Sequence, residues 1–489
     1  MLFNSFEFLC IFFPLVTGLY FVLPHRWRWL LLLVASCWFY MAFVPVYILI
    51  LAFTILVDYF AGIWIEESEG RRRKLLLTAS ILANTGVLAF FKYYHFLNEN
   101  LGALVESLGF AYNVPDLGII LPIGLSFHTF QSLSYTIEVY RGHQKAERHP
   151  GIFALYVMFY PQLVAGPIER PGNLLNQINS TVPGTGMLSR FDAQRVIEGL
   201  KQMLWGFFKK LVIADRCAVV VDQVYGAPDQ HGALAIALAT YLFAVQIYCD
   251  FSGYTDIAIG AARVMGFNLM VNFRTPYRST SINEFWSRWH ISLSSWFRDY
   301  LYIPLGGNRV VKWRWYYNLM VVFLVSGLWH GADWTYVIWG ALHGSYLILA
   351  LVFAPLLARF TRGIGLDRTP ALKRWLNIFI TVQLVSFAWI FFRANNVHDS
   401  FTLVQRLFSA PWSLTDLTVL MAALPNSMMD LTVLLTLLFV VIDPVYDRWV
   451  KREAPAPAGL LGTAAFAVLL VGILLFGYFG STSFIYFQF

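Results

Sequence analysis

The sequence predicts an all-α polytopic membrane protein, and three observations carry that prediction. Hydrophobic residues make up 58% of the 489 residues and charged residues 13%, with a mean hydropathy of +0.60. A soluble chain carries about 25% charged residues, so lipid must cover apolar surface that charges cannot. The apolar residues also fall in recurrent runs near the ~20-residue length that crosses a bilayer. The basic residues behind the net charge of +7 sit in short loops between those runs, the bias of cytoplasmic loops rather than of a nucleic-acid surface. Composition therefore excludes a cytosolic enzyme, a disordered chain and a secreted disulfide scaffold. Cys10, Cys37, Cys217 and Cys249 form no CxxC pair and read as packing residues with no metal site.

The elements follow in chain order. Phe6 to Leu23 has no Lys or Arg before it and no small-residue cleavage pattern after it, and reads as an uncleaved first helix rather than a signal peptide. Trp29 to Ile65 is too long for one span and carries Pro45 near its middle. Proline breaks the helical ladder, so a helical hairpin is expected there. Leu75 to Leu97 follows, then Leu117 to Tyr140 with an early break at Pro122. Towards the other end lie Trp315–Trp329, Trp334–Leu357, Trp375–Phe392, Leu417–Ile442 and Leu460–Phe479. With the segments between 151 and 262, the expectation is about 11 spans plus re-entrant or interfacial helices, in one membrane domain covering 1–489. The only linker-like piece is the short Ala/Pro stretch from Glu453.

Orientation follows from the basic loops. His25–Arg28, Arg71–Lys74 and Arg141–His149 alternate with loops lacking Lys and Arg, of which Asn98–Asp116 is the clearest. The expectation is an N-terminus outside, these three loops in the cytoplasm, and a C-terminus outside.

Ionisable residues inside a span are costly and mark candidate sites. In Asn283–Gly307, Trp286, Trp289, Leu293, Trp296, Phe297 and Tyr300 recur at spacings of three and four. Opposite them Asn283, Ser287, His290, Ser294 and Arg298 form one polar stripe on a continuous helix. Farther on, Leu319 to Trp329 carries Ser326 as its one polar side chain and ends at His330. A continuous helix from Arg314 puts His330 about 24 Å along, toward the outer leaflet. Gly327 and Gly331 beside it admit another backbone or a substrate. Lys92, His128, Gln246, Asp250 and Asp256 are the other intramembrane polar groups. Gln246, Asp250 and Gly253 share one helix face, as the wall of a polar passage or as a hydrogen-bonded network between helices.

Histidine is largely neutral at cellular pH and can accept a proton, so His290 and His330 point to proton abstraction from a hydroxyl. The alternative is a pair of interfacial anchors. No GxSxG elbow or GxxxxGK[ST] loop is present, which argues against a serine hydrolase and a nucleotide-driven pump. A transporter with a histidine proton relay is the rival class, although no internal symmetry of the halves is visible. A scaffold for polysaccharide export is the third.

With these residues in view, the chain resembles the membrane-bound O-acyltransferase family. The resemblance rests on EFWSRWHISLSSWFRDYLYIPLGG around His290, SGLWHGADWTYVIWGALHG around His330, FYPQLVAGPIERP (159–171) and QIYCDFSGYTDIAIGAARVMGFNL (246–269). The opening MLFNSFEFLCIFFPLV, FRTPYRSTSINEFW and the terminal FIYFQF are similar to the bacterial branch that acetylates extracellular polysaccharides such as alginate. Cellulose and peptidoglycan acetylation and teichoic acid D-alanylation belong to cousins. The resemblance implies a ring of helices around a thinned core, roughly 120–345, with two opposed funnels. It implies His330 as general base, His290 orienting the donor or stabilising the oxyanion, and Asn283 and Arg298 as donor contacts. Acetyl-CoA would be the donor substrate, with no bound cofactor and no metal. A periplasmic esterase-fold (SGNH) acetyltransferase and exopolysaccharide machinery would be partners, at the bacterial inner membrane.

Overall fold

The computed structural model describes residues 1–119, 121–163, 166–425, 428–450, 459–479 and 484–485. No strand occurs among them. The Ala/Pro stretch expected as a linker and the last four residues of FIYFQF lie outside the described residues. The chain divides into two compact units, Met1–Trp205 with Tyr254–Val271, and Gly206–Gly253 with Asn272–Phe489.

The first unit opens with α1 (Phe13–Val22), α2 (His25–Met41), α3 (Ile48–Glu66), α4 (Gly70–Leu88), α5 (Tyr94–Ser107) and α6 (Leu125–Arg141). Pro45 opens the single 3-10 turn between α2 and α3, so the expected hairpin forms where proline interrupts the ladder. A π turn over Ala89–Tyr93 joins α4 to α5. Left-handed glycines bound α6, Gly124 before it and Gly142 after it, because a β-carbon disfavours that backbone. Helices α3, α4 and α6 are tied by a buried polar clamp. Asp58, fully buried, accepts from Ser80 at 2.7 Å and from Asn84 at 2.9 and 3.0 Å, while Ser80 reaches Thr136 at 3.4 Å.

The second unit contains the first part of α7 (Ala233–Met265), then α8 (Ile282–Arg288), α9 (Ile291–Phe297), α10 (Lys312–His330), α11 (Trp334–Gly363), α12 (Pro370–Arg393), α13 (Met428–Val450) and α14 (Gly459–Phe476). Helices α10 and α11 approach backbone to backbone. A β-carbon on Gly327 would meet the Tyr336 carbonyl, and one on Gly340 the Phe323 carbonyl. The glycine before His330 thus admits a neighbouring helix, one of the two uses expected for it. Gly327→Ala should cost about 1–3 kcal/mol by overpacking, read as a lower melting temperature and less monodisperse protein in detergent. Gly86→Ala, whose β-carbon would meet nothing within 4 Å, is the control.

Six helical segments are long and apolar enough to cross a membrane among the described residues, and three shorter apolar helices accompany them. The count differs from the expected eleven for local reasons. Helix α2 opens with His25, Arg26 and Arg28, which shortens its apolar run. The expected span from Leu117 is helical only from Leu125, and α6 buries His128, Gln131, Ser132, Ser134 and Thr136. Helix α10 begins with Lys312, Trp313, Arg314 and Trp315, too polar a start. The expected span Leu417–Ile442 is split into Leu414–Ala423 and α13.

Candidate active site

The segment expected as one helix from Asn283 is broken at Trp289–His290. His290 has φ +42°, in the left-handed region that histidine visits more readily than most non-glycine residues. Asn272 supplies the local cause. Its carbonyl accepts from Ile291 N–H at 2.9 Å and its side-chain oxygen from Ser292 N–H at 3.3 Å, while Arg274 N–H donates to the Arg288 carbonyl at 3.0 Å. The segment at 272–274 therefore captures backbone groups that a continuous helix would use.

The turn dissolves the expected polar stripe. His290 is fully buried, whereas Asn283, Ser287 and Arg298 are exposed. Arg298 pairs with its neighbour Asp299 at 2.8 Å. Periodicity places all of them on one face only if the helix continues, and it does not.

The turn brings His290 to His330 instead. Their rings are parallel, 5° between planes, with centroids 6.5 Å apart. His330 is the last residue of α10, continuous from Lys312 as expected, and is 2% exposed. Phe251 packs edge-on against His290 at 4.6 Å. Trp329 lies 6.0 Å from His290 and 5.0 Å from His330, and Trp339 and Phe392 close on His330 at 4.9 and 5.5 Å. The separation places the two imidazoles side by side in one enclosure, close enough to serve one reacting centre. The aromatic walls exclude water, which strengthens each polar interaction inside.

A third buried histidine was not singled out from sequence. His343 is fully buried and packs 5.0 Å from Trp339 on the same helix. Its Nδ1 accepts from Trp286 Nε1 at 3.3 Å. An indole N–H can only donate, so in the neutral ring the proton sits on Nε2. The signal was the four-residue spacing of Trp339 and His343, which sets both on one helix face beside His330.

Of the polar residues expected along α7, Asp250 joins a buried ion cluster. Lys210 Nζ lies 2.7 Å from Asp215 and 2.8 Å from Asp250, all three side chains under 5% exposed. Asp250 also accepts from Ile485 N–H at 2.7 Å. A β-carbon on Gly253 would lie 2.8 Å from the Gly206 carbonyl, so that glycine serves close packing. Of the two readings offered for this face, the described contacts of Asp250 and Gly253 are those of a packed network. No cluster of three potential metal ligands occurs among the described residues.

His290→Asn and His290→Ala test what His290 contributes. Asparagine tolerates the left-handed backbone, so His290→Asn should keep the fold more nearly than His290→Ala, with both losing acyl transfer if the imidazole acts in chemistry. Equal activity of His290→Asn and wild type would leave the residue a purely structural role.

Residues 125–384 match the model of the membrane-bound O-acyltransferase family. The chain is similar to a probable alginate O-acetylase of Azotobacter vinelandii, 38% identical over 94% of this chain and 87% of the relative. It is 40% identical to a probable alginate O-acetylase of Pseudomonas putida over 85% and 82% of the two chains. A peptidoglycan O-acetyltransferase of Helicobacter pylori is 32% identical over 83% and 79%.

Proposed function

Because the chain belongs to the membrane-bound O-acyltransferase family, we propose that it moves an acetyl group from acetyl-CoA on the cytoplasmic side to a hydroxyl acceptor on the other, for O-acetylation of an extracellular polysaccharide. Alginate is the polymer favoured by the similarity to probable alginate O-acetylases. The observation that carries the chemical reading is the pair of parallel, buried imidazoles of His290 and His330 within one aromatic enclosure.

In this reading, an acceptor hydroxyl reaches the histidine pair and His330 takes its proton as the oxygen attacks the thioester carbonyl carbon. The carbonyl π electrons move to oxygen, and the imidazole N–H of His290 donates to that oxyanion. Collapse of the tetrahedral intermediate re-forms the C=O bond and breaks the C–S bond. The proton held on His330 passes to the departing thiolate, leaving the ester, free CoA thiol and both histidines neutral. Asn283 and Arg298, on exposed surface of α8 and just beyond α9, are proposed contacts for the polar part of the donor. The acceptor is a periplasmic esterase-fold partner that completes transfer to the glycan, with the chain in the inner membrane and both termini outside.

The test is label transfer in proteoliposomes supplied with acetyl-labelled CoA on one side. Loss of label from CoA, with ester appearing in a periplasmic fraction on the other side, supports the reading. No thioester turnover with that fraction present overturns the donor assignment. Turnover without the fraction removes the partner from the scheme.

A further inference from the structure

The first unit carries a groove outside the site, between the antiparallel helices α3 and α4, with a cavity volume of about 410 Å³. Ala61, Ala79, Ser80 and Ala83 are the small residues lining it, and Phe53, Phe60 and Trp64 line it with aromatic side chains that are 51, 44 and 49% exposed. Its one polar lining residue is already committed, because the Ser80 hydroxyl donates to Asp58. The groove interior thus offers apolar surface and no unmet hydrogen bond.

The charge lies at one end. On α4 the lining residues Leu76, Ala79, Ser80 and Ala83 form one stripe, and one turn back along it stands Arg72. Arg71, Arg72 and Lys74 are exposed and make no ion pair among the described residues. Arg73 is engaged elsewhere, donating to the carbonyls of Val139 and Tyr140 at 3.2 and 2.8 Å. The nearby carboxylates of Glu66 and Glu67 are taken by Arg148 at 2.5 and 2.6 Å. Three uncommitted cations therefore stand at the end of α4 near the groove end where Trp64 marks the last turns of α3. Tryptophan favours the headgroup level of a bilayer.

We propose that this groove binds an anionic diacyl phospholipid, with one acyl chain along the Ala61–Ala79–Ala83 floor and the phosphate on Arg72, the cation on the groove stripe, within the positive field of Arg71 and Lys74. Charge separates this occupant from a transmembrane helix docked on the small residues. A methylene fills about the volume of a water molecule, ~30 Å³, so the groove holds a run on the order of a dozen methylenes. Juxtamembrane clusters of Arg and Lys attract anionic lipid, and a helix of apolar residues would leave these cations unmatched.

The test is native mass spectrometry of the full chain released from detergent, titrated with phosphatidylglycerol and with phosphatidylethanolamine of identical acyl chains. Wild type should retain phosphatidylglycerol at least fivefold more than phosphatidylethanolamine. Arg71→Gln/Arg72→Gln/Lys74→Gln should erase that preference, and Ala79→Leu/Ala83→Leu, which fills the floor, should lower retention of both lipids. Each variant is compared at equal monodispersity, and the single Arg72→Gln, an exposed change, serves if the triple variant aggregates. Equal retention of the two lipids by wild type, an unchanged preference in the charge variants, undiminished retention after the groove is filled, or a co-purifying polypeptide displaced by none of the lipids would overturn the proposal.

Discussion

His330→Ala is expected to lower acyl transfer by about 10²–10⁴-fold, the range lost with a general base, at a somewhat lower melting temperature than wild type because a buried ring is truncated. The expectation rests on where the side chain stands. It ends α10 at 2% exposure, faces His290 across 6.5 Å and is walled by Trp329, Trp339 and Phe392. Truncation removes the group proposed to take the proton and opens a small space among aromatic rings, a packing loss that His330→Phe would not create. The two variants separate chemistry from packing. Both should be inactive in the labelled-thioester assay, and His330→Phe should be the more stable. A reaction that survives either substitution at near wild-type rate would remove His330 from the proton-transfer role. A relay in a transporter predicts a different pattern, in which thioester turnover is absent from wild type as well.

How far the sequence reaches can be judged from the two histidines. His330 was legible because its helix obeys one rule throughout, an apolar run from a basic start to a histidine flanked by glycines, and α10 forms as expected. His290 was found as a residue but placed on the wrong kind of surface. Three-and-four spacing from Asn283 to Arg298 satisfied a helical template, but the acceptors that interrupt it belong to Asn272, some twenty residues earlier. Periodicity reports local geometry and cannot see a competitor from another part of the chain. The same limit applies to His343, whose tautomer is set by Trp286 across 57 positions. Spans were legible where composition was uniform, as in α3 and α12. They were not where packing against protein admits polar residues, as in α6, whose buried Ser, Thr, Gln and His look too polar for a helix covered by lipid.

Lys210→Met is expected to cost about 3–5 kcal/mol, the penalty for breaking a buried pair from one side. Such a loss consumes a large part of a typical native stability, so the variant should accumulate poorly or aggregate on extraction. The cation is shared. With Lys210 gone, Asp215 and Asp250 become two buried carboxylates without the ammonium that lies 2.7 and 2.8 Å from them, and Asp250 keeps only contacts such as the Ile485 N–H. Charge accounting then predicts a rescue. Lys210→Met with Asp215→Asn and Asp250→Asn removes all three charges, and replacing a whole buried ion cluster by neutral groups is often close to neutral in stability. Asparagine at 250 retains an oxygen to accept from Ile485. Recovered folding in the triple variant, measured by monodisperse yield and melting temperature, would show that Lys210 balances charge within the second unit. Activity then decides between the two readings of the α7 polar face. A triple variant that folds and turns over thioester at the wild-type rate means these groups hold helices together, whereas one that folds but loses turnover places Asp250 on the path of a polar substrate.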